Sequence, residues 1–434
     1  MYDAKALRKG VLWNTGGNMV YMACQFIFSM LVVRLAGETG SGLFNLAQSY
    51  ANISLTIASY GMYSFQVSDA RNKYSSSCYL SSRFVTVTIA TGVCACLIAF
   101  GGLFLGYGLM QCACILLFHA YRMIESATDV FNAMAQRNMD LELVGKTYAL
   151  RGVVSLLSFG IILAATHSVP LTLAVMFFSN LVVFFRYTMV KSKRHYQKES
   201  VAFQQVRLLL VECFPLAIYS ALSTTTASLP KILMEQVLGT KALGIYSPVT
   251  TPVLLLQVGA TYLFTPFITI FSNSYAERNR RSFWRAVGMV QAIILALLPV
   301  GLLISEFLGT WGLRVFVGAG MEAYQFLLSP MVVSAVLTAT VLFYSMILTI
   351  MRCMRGLIAA NLLGIAVCVA VCVPCMKLWD MQGATYAGIF ALLVQAAALG
   401  LVIFIRSRRH FAEGPHRPLQ EPDGLPSDAA ETQE

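Results

Sequence analysis

Three charged residues stand inside an apolar run. They are Arg122, Glu125 and Asp129 in "AYRMIESATDVFNAMAQR", residues 120–137, which follows the apolar stretch Leu109 to Phe118. Their spacing, i, i+3 and i+7, puts them on one face of a helix. A charge in the middle of a bilayer is costly, so that face points into the bundle or into a wet cavity. Two kinds of chemistry fit a guanidinium beside two carboxylates. Arg122 can face an anionic substrate while Glu125 or Asp129 takes up a coupling proton or cation. Alternatively, the three form a structural ion cluster inside their own half of the protein. The spacing alone is compatible with either.

A second group lies in "SLPKILMEQVLG". Lys231 and Glu235 are i and i+4 and can pair. Lys231 and Arg34 stand at similar depths near one end of their helices. They can form a basic mouth with Arg122 deeper, or snorkel to lipid headgroups. The candidate substrate-binding residues are therefore Arg34, Arg122 and Lys231, and the candidate ion-coupling residues are Glu125 and Asp129.

No other stretch reads as a reaction centre. There is no P-loop, dinucleotide or hydrolase fingerprint; "GGLFLG" (101–106) is embedded in an apolar run, and the five histidines are scattered. Most of the eleven cysteines lie in apolar runs, where a thiol packs as a small hydrophobe. Cys372 and Cys375 form a CxxC, but without a soluble βαβ context packing outweighs a redox role. An enzyme is not expected, nor a metal or cofactor.

The elements that must position these residues are membrane helices. Of 434 residues, 57% are hydrophobic and 12% charged, against about 25% charged in a soluble domain. At about 20 residues per crossing, twelve apolar segments can be marked: roughly 11–36, 43–66, 84–106, 109–134, 145–166, 169–190, 208–234, 244–270, 285–307, 325–350, 356–377 and 383–405. Placing the N-terminus in the cytoplasm puts 23 Lys and Arg at cytoplasmic ends, Arg83 and Arg151 among them, against five at outer ends. That asymmetry predicts a multi-pass inner-membrane protein with both termini cytoplasmic. It also accounts for the net charge of +11 without nucleic acid.

The basic stretch 191–207 divides the chain into two six-helix lobes, 1–190 and 208–406, and a polar tail, 407–434, reads as disordered. Two outer loops match: "GETGSGLFN" (37–45) and "GTKALGIYS" (239–247), offset by 202 residues. The match predicts a duplicated all-α architecture, with the lobes related by an axis along the membrane normal and a substrate site between them. Prolines at 215, 230, 248, 252, 266 and 299 fall in or beside spans of the second half. They read either as ordinary kinks or as places where helices seven and eight bend.

The stretches "LRKGVLWNTGGNMVYMACQFIFSMLVVRLAGETGSGLFNLAQSY", "GMYSFQVSDARNKYSSSCYLSSRF", "YRMIESATDVFNAMAQRN" and "LPKILMEQVLGTKALGIYSPVTTPVLLLQVGATYLFTPFI" resemble the Wzx-like polysaccharide-transport branch of the multidrug/oligosaccharidyl-lipid/polysaccharide flippase superfamily. The resemblance covers nearly all of the chain except the tail. It implies a MATE-like alternating-access flippase with a basic central cavity. The implied cargo is an undecaprenyl-pyrophosphate-linked oligosaccharide for O-antigen, capsule or exopolysaccharide synthesis. Implied partners are that lipid-linked sugar, membrane lipid, a polysaccharide polymerase and glycosyltransferases. A drug or cation antiporter of the same superfamily is the first alternative, but no Asp or Glu falls between residues 11 and 36, where that branch would carry a carboxylate. A peptidoglycan-precursor flippase would have fourteen helices. A non-transporting scaffold for glycan assembly is the other class.

Overall fold

The computed structural model describes residues 4–69, 73–196, 199–253, 256–257, 259 and 267–412. We number its principal helices in chain order. In the N-terminal half they are α1 (Ala4–Ser59), α2 (Met62–Ser68), α3 (Ser76–Phe104), α4 (Leu109–Arg137), α5 (Leu141–Thr166) and α6 (Val169–Val183). In the C-terminal half they are α7 (Phe203–Thr250), α8 (Ile268–Ala276), α9 (Arg280–Phe307), α10 (Leu328–Ile350) and α11 (Met354–Ala412). Among the described residues there is no strand. The exterior is apolar in the manner of a lipid-facing surface, with Phe84, Leu103, Phe104, Phe203 and Phe307 all strongly exposed.

Three of the numbered helices each consist of two helices joined across a kink. Among the described residues, eight helical stretches are long and apolar enough to cross a membrane. Three of them contain a bend: α1 at Gly37, α7 at Gly239 and α11 at Trp379–Asp380. Each of those glycines is a non-helical residue joining two helical arms, so both glycine-rich stretches are tight connections between helices. Gly37 has φ 70° and ψ −174°, and Gly239 φ 86° and ψ 168°. That corner of backbone space is essentially reserved for glycine. The helix that hydropathy passes over is α4, because its charges dilute its apolar character.

The matched stretches meet each other in space. A Cβ added to Gly42 would lie 1.9 Å from the Thr240 carbonyl oxygen, and one added to Gly244 would lie 1.7 Å from that of Glu38. Gly42 and Gly244 are 202 residues apart, as are Glu38 and Thr240. The contact is therefore reciprocal, as a two-fold relation between the halves requires. Lys241 and Glu38 add an ion pair at 3.2 Å. Toward the opposite end the halves touch again. Lys73 pairs with Glu212 at 2.5 Å, and the Thr56 hydroxyl donates to Thr224 at 2.9 Å.

The basic connection between the halves continues α6 through Val190–Ser192 and a 3-10 turn, Lys193–His195, where Arg194 and His195 hold Asp140. Asp140 also caps α5, accepting from the Leu143 N–H at 3.3 Å. At the C-terminus, α11 runs on through Ala412. The remainder of the expected disordered tail, 413–434, lies outside the described residues, as does Pro266.

Candidate functional site

α7 begins the site. Its first arm carries "STTTAS", residues 223–228, followed by Pro230 and Lys231. Proline has no N–H to offer the carbonyl four residues back, so Pro230 leaves the Thr226 carbonyl without its usual helical donor. Thr224, Thr226, Ser228 and Lys231 line a cavity of about 400 Å³. Gln48, Ser49 and Asn52 on the second arm of α1 form the opposing wall. Ser334 and Thr338 of α10, and Thr385 and Gln395 of α11, complete the polar lining. Part of that wall is fixed by its own bonds: the Tyr246 and Thr385 hydroxyls are 2.9 Å apart, and Gln395 Nε2 donates to Asn361 Oδ1 at 2.9 Å. Lys231 is the one cation among the described lining residues, and no carboxylate is present there.

The i, i+4 spacing of Lys231 and Glu235 does not produce a pair. Glu235 is buried and accepts from Gln111 Nε2 at 2.6 Å, Gln236 Nε2 at 2.8 Å and Thr240 Oγ1 at 3.1 Å. Gln111 belongs to the first turn of α4, so the carboxylate is taken by the other half of the protein. Lys231 consequently has no ion pair among the described residues and presents its ammonium to the cavity.

The remaining sequence candidates lie elsewhere. Arg34 is exposed; its guanidinium donates to the Val317 carbonyl at 3.2 Å and to the Val315 carbonyl. It thus closes the end of the π-turn Leu313–Val317 and ties α1 to the other half. Arg122, Glu125 and Asp129 are not on the cavity wall. Arg122 Nη1 donates to Glu125 Oε2 at 2.5 Å, and the Tyr21 hydroxyl donates to Glu125 Oε1 at 2.7 Å. Asp129 neighbours Tyr148, Arg83 and Arg151.

Two members of this group were expected at cytoplasmic helix ends. The buried Arg83 and Arg151 instead lie within α3 and α5. Both helices start earlier than their apolar spans, and the arginines turn inward toward the α4 carboxylates. Burial with partners nearby offsets what lipid would charge for them.

Arg122→Met is expected to destabilise the fold by about 3 kcal/mol, because it strips a buried carboxylate of its main counter-ion. Adding Glu125→Gln should recover most of the loss. Thermal unfolding of the purified variants measures both. An unchanged midpoint with lost transport would instead put Arg122 on the cargo path.

All eleven cysteines are free, and Cys372 and Cys375 are buried in α11. Apart from Lys231 the described polar wall carries no charge, so charge patterning in the sequence does not reveal it. The hydroxyl run of "STTTAS" inside an apolar helix was the available signal.

A family model described as polysaccharide biosynthesis protein matches residues 7–268, a region that includes Lys231 and the hydroxyl run. The capsular polysaccharide biosynthesis protein CapF of Staphylococcus aureus is 24% identical over 303 residues, covering 67% of this chain and 72% of CapF. Among solved structures, the lipid II flippase MurJ in an inward closed conformation has a TM-score of 0.68 at 11% identity, covering 93% of this chain and 90% of MurJ. The MATE multidrug transporter DinF-BH gives 0.64 at 11%, covering 94% and 97%. A MOP superfamily transporter from Pyrococcus furiosus gives 0.62 at 14%, covering 94% and 96%. At such identities the likeness is one of fold, an all-helical MATE-like transporter architecture of two related halves. The family match spans more than half of the sequence, and the chain belongs to the polysaccharide biosynthesis protein family.

Proposed function

We propose that the protein is a flippase. It moves an undecaprenyl-pyrophosphate-linked oligosaccharide from the cytoplasmic to the outer leaflet of the inner membrane, for O-antigen, capsule or exopolysaccharide synthesis. The observation that carries this reading is Lys231, without an ion pair among the described residues, in a cavity whose described lining is otherwise hydroxyls, amides and apolar groups. An ammonium matches a phosphate, and neutral hydroxyls and amides match sugar hydroxyls in both donor and acceptor roles. The membership in a polysaccharide biosynthesis family supports the same cargo class. In this reading both termini are cytoplasmic and the Gly37 and Gly239 bends face outward. Arg34, bonded to Val317, borders the outer mouth, and Arg122 serves the cargo indirectly by holding Glu125. Of the two coupling candidates, Glu125 is held by Tyr21 and Arg122, which leaves Asp129 as the group we assign to a coupling proton or cation. A glycan polymerase and glycosyltransferases would act on either side of the step.

The competing reading is a drug or cation antiporter. A cationic substrate would meet Lys231 and no described carboxylate on the cavity wall, so it is disfavoured. Purified protein in liposomes separates the two. The expected result is flipping of a fluorescent lipid-linked oligosaccharide to the opposite leaflet. Efflux of organic cations without lipid flipping would overturn the proposal. A scaffold that transports nothing would do neither.

A further inference from the structure

The interior of the N-terminal half holds a surplus of hydrogen-bond donors. The Arg151 side chain is fully buried, at 0% exposure, yet its Nε, Nη1 and Nη2 all lack a hydrogen-bond partner. Its nearest ion-pair partner, Glu125 Oε2, is 3.9 Å from Nη2, outside hydrogen-bond range. That oxygen is already bound to Arg122, and Tyr21 holds the other. The Tyr21 ring covers the Arg151 guanidinium, 5.9 Å from its centroid. Arg122 Nε and Arg83 Nε and Nη2 are likewise unpartnered.

Two features of this set point to a ligand. First, every unpartnered atom on its charged groups is a donor, and a buried guanidinium without acceptors is strongly disfavoured. Second, the charges do not cancel. With both carboxylates ionised, Arg83, Arg122 and Arg151 outnumber Glu125 and Asp129 by one positive charge. What completes the group must accept hydrogen bonds, donate none and bring one negative charge. Water meets only the first of these requirements. While Asp129 is ionised, a divalent oxyanion would overshoot the charge.

We propose that the N-terminal half encloses a small monovalent inorganic anion of the halide class, held against Arg151 between α1, α4 and α5. The site is separate from the central cavity, whose lining includes none of these arginines. It is independent of what the protein transports. Its role is to complete the buried charge that fastens these three helices together.

The test uses the full-length protein in detergent, with chloride exchanged for gluconate at constant sodium and ionic strength. Chloride and bromide are expected to raise the unfolding midpoint by about 2 °C or more, saturably, as a ligand of the native state does. Arg151→Gln should abolish that dependence, while Lys231→Ala should keep it. Bromide-soaked crystals of the unaltered protein should give an anomalous peak beside the Arg151 guanidinium, a readout that does not need the variant to fold. Equal midpoints in the three media, halide dependence that survives Arg151→Gln, or density at Arg151 without anomalous signal would overturn the proposal.

Discussion

Lys231→Ala is expected to slow flipping of a pyrophosphate-linked oligosaccharide by ten- to about a hundredfold while the protein still inserts and purifies. A hydrogen bond to a charged group is worth about 1.5–3 kcal/mol, and each 1.4 kcal/mol is about tenfold. Stability should change little, since Lys231 has no ion pair to break among the described residues. Lys231→Arg should retain part of the activity, because the guanidinium keeps the charge but not the ammonium's compact shape. Initial flipping rates in liposomes, at matched protein density, measure all three. Wild-type flipping by Lys231→Ala would remove the cation from the cargo path and, with it, the central support for a phosphate-bearing substrate.

The second large effect concerns the reciprocal glycines. Gly42→Leu is expected to reduce transport at least about tenfold. A Cβ there would lie 1.9 Å from the Thr240 carbonyl oxygen, and backbone cannot yield as a flexible side chain can. Overpacking of this kind costs typically about 1–3 kcal/mol, and here it falls on the contact that closes one end of the molecule. The halves would be held apart at that end, and alternation between the two ends would lose one of its states. Gly244→Leu should do the same from the other side, against Glu38. The two together should be scarcely worse than either alone, since both prop open one contact. Gly102→Leu is the control: a Cβ there meets nothing within 4 Å, and transport should be unaffected. Flipping rate and unfolding midpoint are measured on each variant. Full transport by Gly42→Leu would mean that this contact does not form in the working cycle.

The duplication behind that contact was legible from two nine-residue stretches. Their glycines recur at equal offset because the same bend and the same close approach are made twice. The face shared by Arg122, Glu125 and Asp129 was legible as well, since helical periodicity is a local property. Which way that face pointed was not. Arg151 and Arg83 belong to the same group, yet their positions near the ends of apolar spans placed them with the cytoplasmic charges. Only the packing of α3 and α5 against α4 brings them inside. Glu235 gives the same lesson in reverse. Its spacing from Lys231 suggested a pair, and a glutamine 124 residues away in sequence took its place.

By itself the amino-acid sequence determined that this chain is a bundle of membrane helices in two related halves. Hydropathy, helix period and repeated glycine bends are all local quantities, read from neighbours along the chain. The tertiary structure decided which charges neutralise one another and which one faces an open cavity. The physical reason is that pairing depends on contacts between helices far apart in sequence. Three arginines and two carboxylates from α3, α4 and α5 gather in one interior, while hydroxyls of α7, α10 and α11 line the cavity with Lys231, which has no ion pair among the described residues.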